Sequence, residues 1–162
     1  MTTIAPVFPF LIALLSLPAH AEVLSGRVVS VADGDTLTLL VDRQQVRVRL
    51  ADIDAPERKQ AFGNRSRLSL HELCHGKAAQ VQDNGRDRYG RTIGQVTCAS
   101  IDASAEQVRN GMAWVYDRYA RKDSPLYALQ DQARESRAGL WADVQPVPPW
   151  EWRHQAKYHP KE

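Results

Sequence analysis

The chain has 162 residues, of which 43% are apolar and 25% are charged, and its formal net charge at pH 7 is +2. This length corresponds to one domain, and the composition excludes a disordered chain, a collagen-like fibre and a protein with several membrane spans. Two cysteines are too few for a four-cysteine zinc site. A net charge this small does not by itself indicate nucleic-acid binding. Function must therefore be inferred from motifs.

The two ends of the chain differ from its middle. The first 21 residues contain no Lys, Arg, Asp or Glu, and their apolar run over residues 7–17 is too short to span a membrane. They end in Ala19-His20-Ala21, an A-x-A cleavage pattern. We therefore predict a signal peptide over residues 1–21, export to the periplasm or the medium, and no stable membrane association after its removal. Residues 144–162 are rich in Pro and Trp, and we expect a tail without a regular helix whose first half packs on the domain.

The first half of the remaining chain predicts strands. Residues 23–31 and 36–41 are rich in β-branched side chains and are separated by an Asp-Gly turn. Residues 45–54 predict a third strand, because apolar and arginine side chains alternate strictly over residues 46–50, as they do in a half-buried strand. Two further short strands are predicted over residues 77–81 and 92–97.

Three helices are predicted, and each is bounded by residues typical of a helix end. They cover residues 60–74, 104–111 and 124–139. The first ends before Gly76, the second begins with Ser104 and Gln107 as a capping box, and the third begins with Ser124 before Pro125. Five short strands with helices attached fit an α+β protein built on a Greek-key barrel of the OB type.

Three separated segments concentrate charged residues. Their sequences are D-G-D-T at residues 33–36, R-L-A-D-I-D-A-P-E at residues 49–57 and D-R-Y-G-R at residues 87–91. Each alone is a weak signal, because D-G-D is a common turn and D-R-Y-G-R is compatible with a surface ion-pair cluster. Together and in this order they resemble the staphylococcal nuclease family, whose signature is D-G-D-T, R-x-x-x-x-D-x-P-E and D-x-Y-G-R. The resemblance extends from about residue 23 to residue 141.

The resemblance implies a fold, an activity and a cofactor. The fold is a five-stranded OB barrel with three helices, which we assign to residues 22–143. The activity is Ca²⁺-dependent hydrolysis of DNA and RNA phosphodiester bonds without sequence specificity, leaving 3′-phosphate ends. We also expect a monomer.

The resemblance implies the acidic part of the site as well. Asp35 and Asp54 correspond to the carboxylate ligands of Ca²⁺, with the backbone carbonyl of Ala55 as a third ligand. A hard cation that takes six to eight oxygens suits this set together with waters and a phosphate oxygen. Glu57 corresponds to the general base or the residue that positions the attacking water.

The remaining residues correspond to groups that hold the substrate. Arg49 and Arg91 correspond to a phosphate clamp, a role that suits the planar guanidinium because it binds two phosphate oxygens and stays charged. Asp33 and Thr36 are expected to contact the metal ligands and hold them in position without binding the metal directly. Tyr89 is expected to stack on a base.

Two other functions have to be considered. His71-Glu72-x-x-His75 matches the H-E-x-x-H motif of zinc proteases. Such a site needs a longer helix and a third ligand, whereas Gly76 is expected to end this helix and the next histidine is His154 in the tail. The other alternative is a catalytically silent OB module that only binds nucleic acid.

Cys74 and Cys98 are the two cysteines of the chain, and they could be bonded to each other or free. The predicted export places them in an oxidising compartment, which favours a disulfide bond. The alternatives are a pair of buried thiols that act as small apolar residues, and a pair of metal ligands together with His71 or His75.

Overall fold

The computed structural model describes residues 23–158. The predicted signal peptide and the last four residues, 159–162, lie outside the described residues. Within residues 23–158 the strands are β1 (Val23–Val31), β2 (Thr36–Val41), β3 (Gln44–Leu50), β4 (Ile53–Asp54), β5 (Ala78–Arg86), β6 (Thr92–Cys98), β7 (Ile101–Asp102) and β8 (Trp114–Val115). The helices are α1 (Gly63–Cys74), α2 (Ala103–Arg109), α3 (Leu126–Glu135) and α4 (Pro149–Tyr158), with a 3₁₀ turn at Gly139–Ala142.

Five of the strands form a closed barrel. β1, β2 and β3 form an antiparallel meander, β5 pairs with β1, and β6 pairs with β5. A parallel pairing of β3 with β6, in which Leu50 lies opposite Gly94, closes the barrel. The alternation predicted for β3 is present, since Val48 and Leu50 are fully buried and Arg47 is exposed. The predicted five-stranded OB-like barrel is therefore confirmed.

The barrel interior is the main hydrophobic core. Its largest fully buried aliphatic side chains come from the strands and from α1 and α2, namely Val28, Leu37, Leu39, Val48, Leu50, Ile53, Leu70, Val81, Val96, Val108 and Val115. Full burial of each such side chain stabilises the fold by about 1.5–3 kcal/mol. A disulfide bond between Cys74 and Cys98 joins the end of α1 to the end of β6, with the two Cα atoms 5.3 Å apart. The predicted disulfide is thus present.

The ends of several predicted elements differ in the structure. β5 extends to Arg86, well past the predicted end at residue 81, because its pairing with β6 continues across an irregularity. α1 begins at residue 63 rather than residue 60. α3 ends at residue 135 rather than near Gly139, whose positive φ of 52° belongs to the following 3₁₀ turn.

The predicted capping box of α2 is wrong. The N-cap of α2 is Asp102, whose carboxylate accepts a hydrogen bond from the backbone N–H of Ala105. The Ser104 hydroxyl instead donates to the carbonyl of Ala51 at 3.0 Å, and the Gln107 side chain points into the core. Both residues are used in tertiary contacts, so neither is available for a local cap.

The expectation of a tail without a regular helix is also wrong. Pro149 is the first residue of α4. A proline is tolerated there because the backbone N–H groups of the first helical turn make no hydrogen bond within the helix. Pro146 and Pro148 precede the helix. The expectation that this part of the chain packs on the domain is confirmed, because Trp150 packs against Trp114. Of the helices between residues 23 and 158, none has the length and apolar character that crossing a membrane requires.

Candidate active site

The acidic turn (residues 33–36) is held tightly between β1 and β2. Gly34 is required there, because a Cβ atom at this position would lie 1.7 Å from the hydroxyl oxygen of Ser66. The buried Gln107 side chain donates to the carbonyl oxygens of Gly34 at 2.7 Å and Ser66 at 3.1 Å. Gln107 thereby fastens the turn to α1, which fixes the position of Asp35. The sequence indicated only a helix cap at Gln107.

Asp35 and Asp54 converge on one arginine. Arg49, near the end of β3, donates from Nη2 to Asp54 Oδ1 at 3.0 Å and to Asp35 Oδ2 at 3.4 Å. Asp54 is held by the pairing of β4 with β8, and Asp35 accepts a further hydrogen bond from the backbone N–H of Ala55 at 3.0 Å. The structure thus brings the two expected metal ligands and the first expected clamp residue together.

Arg91 reaches the same place from the loop before β6. Its Nε atom donates to Asp87 Oδ2 at 2.8 Å and its Nη1 atom to the Thr36 hydroxyl at 3.2 Å. Thr36 in turn donates to Asp35 Oδ1 at 2.9 Å, so the hydroxyl links the second arginine to the first carboxylate. Tyr89 is 66% exposed, and the Arg91 guanidinium lies 5.7 Å from its ring centroid. The aromatic ring is therefore open to solvent beside the clamp.

Glu57 lies beside Asp54 and shares a partner with it. That partner is Arg153 of α4, which donates from Nη1 to Glu57 Oε1 at 2.8 Å and from Nη2 to Asp54 Oδ2 at 2.7 Å. A third contact joins Arg153 Nη1 to Asp54 Oδ1 at 3.2 Å. Sequence reasoning missed Arg153, because it lies beyond the matching motifs in a segment for which no helix was expected.

The carboxyl groups of this cluster are buried close to one another, and this raises the pKa of two of them. Burial, followed by the neighbouring charge of Asp35, raises the pKa of Asp33 to about 7. Burial also raises the pKa of Asp54, although the guanidinium groups of Arg153 and Arg49 oppose that shift. Removing carboxylates from water while placing them near one another is costly unless cations compensate their charge.

The donor set of the cluster fits a hard divalent cation. Asp35 and Asp54 each place an oxygen within 3.4 Å of the same cationic atom, Nη2 of Arg49, so the two carboxylates converge on one region of positive charge. Carboxylate and carbonyl oxygens are the ligands that Ca²⁺ prefers. Across residues 23–158, no three His, Cys, Asp or Glu side chains are grouped to hold a metal ion. A cation held here would therefore complete its coordination with backbone carbonyl oxygens and water, as Ca²⁺ commonly does.

An aromatic cluster continues from the site towards α4. Tyr116 and Tyr119 contact each other edge to face at 5.1 Å, and Trp150 stacks on Tyr116 at 5.3 Å. The backbone N–H of Tyr116 donates to the carbonyl of Asp52, which ties the cluster to the segment that carries Asp54. The sequence indicated no role for either tyrosine.

The H-E-x-x-H segment does not form a zinc centre. α1 ends at Cys74 and His75 is its C-cap, so the two histidines do not lie within a longer helix. Their rings stack at 4.2 Å. The part of the chain that the structure describes supplies no further ligand to them.

The barrel and its carboxylate–arginine cluster form a site suited to stabilising charge on a phosphodiester. The sequence profile described as "Staphylococcal nuclease homologue" matches residues 47–143. The chain belongs to this family and is a nuclease, which confirms the resemblance inferred from the motifs.

Curated relatives are similar in sequence to this protein over most of its length. An "Uncharacterized endonuclease" of Escherichia coli O157:H7 is 44% identical over 148 residues, covering 91% of this chain and 96% of the relative. A "Micrococcal nuclease" of Shigella flexneri is 42% identical over 156 residues, covering 90% of this chain and 89% of the relative. "Protein ParB" of Escherichia coli is 45% identical over 149 residues, covering 86% and 84% respectively.

Proposed function

We propose that the protein is a Ca²⁺-dependent nuclease that hydrolyses DNA and RNA without sequence specificity and leaves 3′-phosphate ends. One observation carries this proposal: the convergence of Asp35 and Asp54 on Arg49, with Glu57 and Arg91 reaching the same cluster through one hydrogen-bonded neighbour each. Family membership and the names of the relatives support the nuclease class.

Glu57 acts as the base in the proposed reaction. Its carboxylate accepts a proton from a water molecule as the water oxygen attacks phosphorus. The bond from phosphorus to the 5′ oxygen breaks, and that oxygen takes a proton from solvent water to become a hydroxyl. The products are a 3′-phosphate and a 5′-hydroxyl. The Glu57 side chain is 41% exposed, so water and substrate have access to it.

Arg49 and Arg91 stabilise the negative charge that develops on the phosphate oxygens. Each is held by acceptors on the protein, Arg49 by two aspartates and Arg91 by Asp87 and Thr36, so both guanidinium groups lie beside the carboxylate cluster before substrate binds. A bound Ca²⁺ supplies further charge neutralisation and a coordination position for water. Asp35, Asp54 and the carbonyl of Ala55 would hold it.

A cleavage assay with defined metals tests the proposal. Single-stranded DNA and RNA of fixed sequence are incubated with Ca²⁺, Mg²⁺, Zn²⁺ or chelator, and the product ends are mapped by mass. We expect cleavage at many positions with Ca²⁺, 3′-phosphate ends, and none with chelator. Binding without cleavage would instead support the silent OB module. Zinc-dependent cleavage of casein would support the protease alternative.

We also propose that the protein is exported, acts as a monomer and does not associate stably with membranes. The A-x-A pattern before Glu22 supports export. The disulfide bond supports an oxidising destination. Mass analysis of the protein recovered outside the cytoplasm tests this proposal, since cleavage after Ala21 predicts a chain that begins at Glu22. Sedimentation of that material tests the monomer.

A further inference from the structure

Arg153 brings a positive charge into direct contact with two residues of the proposed site. Its guanidinium binds both carboxylate oxygens of Asp54, at 2.7 and 3.2 Å, and one oxygen of Glu57 at 2.8 Å. Asp54 is 2% exposed in its side chain, whereas Arg153 is 40% exposed. The arginine therefore enters from the surface and covers a buried carboxylate.

The helix that carries Arg153 is anchored on the barrel. Trp150 stacks on Tyr116 at 5.3 Å and meets Trp114 edge to face at 5.8 Å. Before the helix, the carbonyl of Val147 accepts a hydrogen bond from Gln60 at 2.6 Å. These contacts keep the base of the Arg153 side chain beside the site, and two-fifths of that side chain is exposed to solvent.

We propose that Arg153 is an internal competitor of the divalent cation, so that binding of the cation requires the guanidinium to leave Asp54. The inference rests on the proposed cation site. A guanidinium and a divalent cation repel each other, and both neutralise the charge of the same carboxylate. Because Arg153 is partly exposed and the incoming cation takes over the compensation of the buried Asp54 charge, displacement of the guanidinium weakens cation binding without preventing it. The residue thereby raises the cation concentration at which the site fills.

Calorimetric titration of the purified full-length mature chain with CaCl₂ alone, without nucleic acid, tests this. Arg153→Gln and Arg153→Ala remove the competing charge, so we expect them to bind Ca²⁺ about fivefold more tightly than the wild type. Arg109→Ala is the matched control, because Arg109 is exposed and pairs with Glu106 within α2. It removes the same charge elsewhere and should leave the affinity unchanged. Melting temperatures of all variants establish that each is folded.

Equal or weaker Ca²⁺ binding by both Arg153 variants would overturn the competition, since weaker binding would mean that Arg153 positions Asp54 for the cation. Absence of Ca²⁺ binding in every variant would overturn it too.

A parallel cleavage assay separates this inference from the proposed function. Tighter binding by the Arg153 variants without cleavage by any protein would contradict the nuclease proposal alone. Cleavage with equal affinities would contradict the Arg153 inference alone.

Discussion

Replacing Glu57 should reduce the rate of cleavage while leaving the stability of the fold nearly unchanged. Its side chain is 41% exposed and its carboxylate pairs with the partly exposed Arg153, so Glu57→Gln should leave the melting temperature nearly unchanged. Loss of the proposed base should reduce kcat by about 100-fold or more. Single-turnover cleavage of a labelled oligonucleotide measures this. Glu72→Gln, on the exposed face of α1, is the control. Full activity of Glu57→Gln together with an inactive Glu72→Gln would contradict the assignment.

Replacing Asp35 or Asp54 should weaken binding of the proposed Ca²⁺ ion. Asp35→Asn or Asp54→Asn removes one negative charge and one anionic ligand, so each should weaken Ca²⁺ binding by about tenfold or more. Calorimetry compares them with Asp123→Asn, which alters an exposed aspartate paired with Arg121. If both site variants keep the wild-type affinity, the cation binds elsewhere.

At the scale of elements, Gln107 connects the acidic turn to the helices. Its carboxamide donates to Gly34 and Ser66 and accepts from the Ser69 hydroxyl, and the side chain is fully buried. Gln107→Ala leaves these groups without a partner, so the free energy of unfolding should fall by about 2 kcal/mol or more. Denaturant unfolding measures the loss. Gln95→Ala, on the exposed face of β6, should change the stability little, and a similar loss there would contradict the interpretation.

Local sequence patterns determined which elements could be predicted. The meander and α1 follow from alternation, apolar spacing and the glycine after the helix, all of which act within a few residues. Competition between local and tertiary contacts explains the error at Ser104, which suits a cap but bonds to Ala51. The three site motifs were recognisable because the chemistry restricts their residue types. Arg153 carries no such signal, since its partners lie almost a hundred residues away and proximity appears only after folding.

At the scale of the whole molecule, the disulfide bond joins the end of α1 to the end of β6. Reduction should lower the melting temperature, because the chain-entropy estimate for a loop of this length is about 3 kcal/mol. Activity at moderate temperature should persist, since both cysteines are buried in the barrel core and neither belongs to the site. Scanning calorimetry with and without reductant measures the shift. Two thiols that can be alkylated in the denatured, unreduced protein would contradict the bridge.

The parallel pairing of β3 with β6 also determines when the site comes into existence. Arg49 lies on β3 and Arg91 immediately before β6, so Arg49 at Asp35 and Arg91 at the adjacent Thr36 come together only after these strands meet. Such pairing between distant parts of a chain is slow to form, whereas hairpins form early. Recovery of activity during refolding should therefore follow barrel closure and not the appearance of secondary structure. A chain kept unfolded until the proposed export has no assembled site, and it cannot damage the nucleic acids of the cell that makes it.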